Sequence, residues 1–114
     1  MSVNPIRAEL LLTFKNGEEY KARMSLDTVM RIEQKFKTTI LKLGKKLQES
    51  DLQLIELISI VTLALRSGGN DFDEKKVTDL CASQSYVANL TMVGELIALA
   101  LDAESDNVSN EKKS

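Results

Sequence analysis

Apolar residues change their spacing along the chain, and the changes mark its elements. In Arg7 to Lys15, Leu10, Leu12 and Phe14 alternate with Leu11, Thr13 and Lys15, the period-two pattern of a strand with one face on a core. After Asn16-Gly17 the alternation resumes, with Tyr20, Ala22 and Met24 against Glu19, Lys21 and Arg23. Asn-Gly tolerates positive φ at both positions, which predicts a β-hairpin closed by a type I′ turn. A lone hairpin is marginal in water and needs a surface to pack on.

From Leu26 the spacing becomes three or four: Leu26, Val29, Ile32, Phe36, Ile40, Leu43 and Leu47 form one helical stripe behind Ser25 as N-cap. Thr38-Thr39 are weak helix formers and mark a break with a restart, and Gly44 weakens the end further. Ser50 and Gln53 have the spacing of a capping box for the next helix. That helix, Leu52 to Arg66, is apolar on nearly every side, so it is either the central helix or part of a subunit interface. Gly68-Gly69-Asn70 ends it.

Two further helices follow. Asp71 to Ser83 has Asp71 as cap, Glu74 at the third position, and an apolar face of Val77, Leu80 and Cys81. Ser85 to Ala103 has a stripe of Tyr86, Leu90, Val93, Ile97 and Leu101, with Gly94 permitting a close helix crossing. The segment 104–114 carries one apolar residue, Val108, too little to offset its ordering entropy, and is expected to be a disordered polar tail. Residues 1–6 are expected to be a flexible lead-in to a single domain over 7–103. The fold class that follows is α+β, mostly helical, a hairpin packed on about four helices.

Composition narrows the function. The 114 residues suffice for one core and are too few for two. At net charge −2 no global field draws the chain to nucleic acid or to a membrane surface. No stretch approaches the roughly 20 apolar residues of a membrane span, and Met1 to Leu10 lacks the pattern of a signal peptide. These features suit a cytoplasmic protein.

Chemistry is sparse. There is no histidine, so the commonest general base and metal ligand is missing, and Cys81 has no partner for a disulfide or a Cys-His pair. Cys81 is expected to be a small buried hydrophobe. Asp71, Asp73 and Glu74 lack the residue order of a calcium loop and read as helix caps. Gly68-Gly69 lacks the rest of a phosphate-binding loop. Glu18-Glu19 sit beside a solvated turn that offers no pocket to separate their pKa values. No catalytic, metal or cofactor site is expected.

One stretch is more suggestive. Arg31 to Lys46 carries Arg31, Lys35, Lys37, Lys42, Lys45 and Lys46 against the single acid Glu33. Without interleaved aromatics or residues poised for base edges, it argues against nucleic acid. It reads as a solvated face or as a docking face for an acidic protein segment.

A turn glycine (Gly17), an arginine ending the second strand (Arg23), Ile32-Glu33 in the first helix and the helix end Leu65 to Gly69 appear in an order that resembles the gene transfer agent family of phage-derived tail proteins. The resemblance covers Arg7 to Leu101. The chain departs from it in lacking a glycine soon after Ile32-Glu33, where it reads KFKTTI, and in being rich in Lys and Ile rather than Ala and Arg. The group is understood as tail assembly chaperones, so the resemblance implies a non-catalytic role. The chaperone would bind the tape measure protein, keep its helical apolar surface from aggregating, and recruit tail tube subunits. Such chaperones are commonly made with a longer frameshifted form as well. The contacts expected on that basis are Leu54, Ile58 and Val61 for apolar docking and Lys35, Lys42 and Lys46 for charge, with core packing the alternative for each apolar residue. A structural tail subunit (tube or terminator) and a small DNA-binding regulator are the competing readings, and homo-oligomerisation is left open.

Overall fold

The structure is a computed structural model that describes residues 8–113, with 103–113 as backbone only. The order is β1 (Glu9–Thr13), β2 (Glu19–Arg23), α1 (Leu26–Phe36), α2 (Ile40–Gln48), α3 (Leu54–Ser67), α4 (Glu74–Ala82) and α5 (Tyr86–Lys113). The expected α+β architecture is present: an antiparallel hairpin followed by five helices.

The hairpin pairs Leu10 with Ala22 and Leu12 with Tyr20, which puts the predicted alternating residues on one face. Phe14 and Ala22 are fully enclosed. The turn differs from the type I′ expectation. Gly17 N–H donates to Phe14 C=O at 2.9 Å and Phe14 N–H to Glu18 C=O at 2.9 Å, leaving Lys15, Asn16 and Gly17 as the loop. Only Gly17 in this loop has positive φ, at 93°. That is the three-residue loop with a left-handed glycine bulge. Asn16 stays out of the left-handed region, and its Oδ1 accepts from Glu18 N–H at 3.0 Å.

The break near Thr38 is present and divides the long stripe into α1 and α2. Lys37 ends α1 in the left-handed region at φ 55°, and Thr38 N–H reaches back to Glu33 C=O at 3.2 Å, as in a Schellman end. Thr39 then caps α2 by accepting from Lys42 N–H at 3.1 Å. The Glu33 carboxylate accepts from Ile40 N–H at 2.9 Å, so one acid joins the two helices. Lys37 thus holds a conformation that suits glycine, close to where the resembling family carries one. Lys37→Gly is expected to raise stability by about 0.5–1 kcal/mol, read from the denaturant midpoint at unchanged slope.

Two helix starts lie downstream of their predicted places. α3 begins at Leu54 behind Gln53, whose N–H donates to Glu56 Oε1 at 2.8 Å. Ser50 instead takes φ 55° in the turn that ends α2. α4 begins behind Asp73, which accepts from Lys76 N–H at 2.8 Å, rather than behind Asp71. α5 starts where expected, with Ser85 Oγ accepting from Ala88 N–H at 3.1 Å. Its helical backbone continues to Lys113, through the segment for which the composition predicts a disordered tail. The expected flexible lead-in over 1–6 lies outside the described residues.

α3 is the central helix. It packs against β2, α4, α5 and α1, while α2 packs on α5. Leu57, Ile60, Val61, Ala64 and Leu65 are buried along it. Leu26, expected in the α1 stripe, is instead exposed at the helix start, whereas Val29 and Ile32 are buried. A Cβ on Gly94 would stand 3.4 Å from Leu47, and one on Gly44 3.2 Å from Ile97, so α2 and α5 cross closely there, as expected for Gly94.

Gly68 makes the closest approach in the fold's centre. A Cβ at this position would stand 2.1 Å from the Lys21 carbonyl oxygen. Asn70 Nδ2 donates to that same oxygen at 2.7 Å. The end of α3 therefore lies directly against the backbone of β2.

Candidate functional site

The predicted contact residues divide by burial. Val61 is 1% exposed and part of the buried core. Ile58 is 7% exposed, and Leu54, one turn earlier, is 49% exposed. Leu54 and Ile58 line one hollow of about 170 Å³ together with Cys81, Ala82 and Tyr86. The hollow forms where three elements meet: the first turns of α3, the end of α4 and the start of α5. Tyr86 Oη donates to Leu52 C=O at 3.4 Å and ties the start of α5 to the start of α3.

Two further apolar side chains adjoin lining residues in sequence: Ile55, next to Leu54, is 63% exposed and Val87, next to Tyr86, is 68% exposed. Sequence reasoning missed both, although Val87 carries a signal: it lies one residue off the α5 stripe, so helical geometry turns it away from the core. Ile55 was hidden in a helix that reads apolar all round.

Polar groups in the hollow are already partnered. Asn89 is buried, donating to Cys81 C=O at 3.0 Å and accepting from Gln84 Nε2 at 2.8 Å. Among the described residues no buried side-chain nitrogen or oxygen lacks a partner. Burial pushes the Cys81 thiol up to about 11, which removes thiolate character near neutral pH. The arrangement can take an apolar group and offers no unmet hydrogen bond to orient a polar one.

The basic residues are shared between two helices. The break at Lys37 puts Lys35 on α1 and Lys42 and Lys46 on α2. Lys35 and Lys42 are exposed and Lys46 is half-buried. Arg31 pairs with Asp27 at 3.0 Å. Lys42 and Lys45 border a second groove, floored by Gly44, Gly94, Ile97 and Ala98 between α2 and α5.

At the hairpin tip the Tyr20 hydroxyl donates to Glu18 at 2.8 Å, which holds the Glu18 carboxyl below its usual range and raises Tyr20 in turn. Both groups are solvated there. Among the described residues no group of three His, Cys, Asp or Glu could hold a metal ion, and no helix is long and apolar enough to cross a membrane.

The described residues thus form a helical core with an apolar hollow whose polar groups are partnered. The family described as phage tail tube protein, GTA-gp10, matches residues 7–103, and the chain belongs to it. No curated protein and no solved structure matches the chain.

Proposed function

We propose that this protein is a tail assembly chaperone that binds the tape measure protein during tail morphogenesis in the host cytoplasm, without a cofactor and without catalysis. The observation that carries this reading is the apolar hollow lined by Leu54, Ile58 and Tyr86, with Leu54 and Tyr86 themselves 49% and 46% exposed. A cavity of about 150 Å³ binds a benzene ring, so the hollow suits one leucine or phenylalanine from an amphipathic helix. Helix-in-groove recognition uses anchors of this kind. Lys35, Lys42 and Lys46 would attract the acidic flank of such a helix and act mainly on its association rate. Recruitment of tail tube subunits belongs to the same reading.

The family's description favours a second reading, a structural tail component. The fold supports it less well. A tube wall built from sheet needs more strands than one hairpin supplies among the described residues.

The double variant Leu54→Asp/Ile55→Asp is expected to weaken tape measure binding at least ten-fold, since two desolvated anchors are lost. Its melting temperature should stay near that of the parent, because the side chains are already 49% and 63% exposed. Charge reversal of Lys35, Lys42 and Lys46 should slow association and flatten its salt dependence. Unchanged affinity in the double variant would remove the hollow from the account.

A further inference from the structure

We propose that β1 is a docking edge for a second copy of this chain, so that two hairpins join into one four-stranded antiparallel sheet. The hairpin has two outer edges, and among the described residues only one is closed. On β2 the Lys21 carbonyl accepts from Asn70 and lies against Gly68, so no strand can approach there.

The β1 edge is different. Met24 N–H donates to Ala8 C=O at 2.8 Å and Phe14 N–H to Glu18 C=O at 2.9 Å, so even-numbered residues of β1 direct their backbone groups at β2. Antiparallel ladders alternate, so the N–H and C=O of Glu9, Leu11 and Thr13 point outward. Among the described residues nothing bonds to them. The next outward group, Lys15 N–H, is met by Gln84 Oε1 at 3.2 Å, which ends the open stretch.

Edge strands are normally blunted by lysine, proline or a bulge. β1 reads Glu-Leu-Leu-Leu-Thr, with a single charge, and Leu11 stands 56% exposed. A groove of about 430 Å³ separates β1 from α5 and leaves room beside the edge.

Self-complementarity argues for a second copy as the occupant. A two-fold axis at Leu11 sets Leu11 opposite Leu11 and Glu9 opposite Thr13. This register engages all three outward residues of each copy and places no like charges face to face. It also buries both exposed leucines against each other across an isologous interface. A net charge of −2 per chain opposes the association only weakly. The inference does not depend on the chaperone reading.

The test uses the full chain in light scattering after size exclusion, over a range of concentrations, with two variants. A concentration-dependent dimer is expected. Leu11→Lys should weaken it at least ten-fold without lowering the melting temperature, since the side chain is already exposed. Leu11→Cys should cross-link under mild oxidation, because directly opposed residues of a hydrogen-bonded pair have Cα atoms about 5.5 Å apart, within disulfide range. Leu26→Cys, more exposed on α1, should not. A monomer at all concentrations would overturn the proposal. So would a dimer indifferent to Leu11→Lys, or protection of the β1 amides from exchange that appears only when a different tail protein is added.

Discussion

Gly68→Ala is expected to destabilise the protein by about 3 kcal/mol, a fall of roughly 15 °C in melting temperature for a domain of this size. The backbone at Gly68 is right-handed, with φ −81°, so alanine suffers no conformational penalty. The damage is steric. The added methyl would stand 2.1 Å from the Lys21 oxygen and 2.6 Å from its carbonyl carbon, both backbone atoms that no side-chain rotation can move. The hairpin must lift from α3, and the Asn70 bond to Lys21 goes with it. Amide exchange should therefore accelerate first in β1 and β2. A wild-type melting curve would show that the contact relaxes freely.

Leu65→Ala is expected to cost about 3–4 kcal/mol, within the range for large-to-small changes in a packed core. Leu65 is fully enclosed on the helix that touches most other elements. Its carbonyl also receives Asn70 N–H at 3.0 Å and the Asn70 side chain at 3.1 Å, so the void opens beside the turn that holds the hairpin. Unlike Gly68→Ala, this change should lower protection across the whole molecule, with calorimetric melting as the readout.

The residues that carry the family resemblance turn out to be joints of the scaffold. Ile32 is fully buried, and Glu33 caps α2 through Ile40 N–H. Gly17 supplies the left-handed bulge, Arg66 Nε donates to Phe72 C=O at 2.7 Å, and Gly68 admits β2. They hold the hairpin and the bundle together, and none of the five lines the apolar hollow.

The same division explains what could be read from the sequence. Element type followed from local periodicity: Leu10, Leu12 and Phe14 for the strand, Tyr86, Leu90 and Val93 for α5. The exact starts of α3 and α4 did not, because Ser50 and Asp71 compete with Gln53 and Asp73 for the cap and tertiary packing decides between them. The hollow was half legible. Leu54 and Ile58, chosen from the excess of apolar residues on α3, line the hollow, whereas Val61 is buried in the core. Tyr86 joins the site through a bond to Leu52, a contact 34 residues apart in sequence that no local pattern reports. The lysines are divided by the expected break: the left-handed turn at Lys37 leaves Lys35 on α1 and Lys42 and Lys46 on α2.

In the proposed role the apolar hollow serves a tape measure protein during assembly. Co-expression with the tape measure protein of the same gene cluster, followed by pull-down and light scattering, tests it most directly. The account predicts a soluble complex in which the long helical partner stays unaggregated, with this chain bound along it and missing from finished particles. An insoluble tape measure protein, with this chain instead forming rings or tubes or appearing as a component of purified particles, would contradict it and support the structural tail reading.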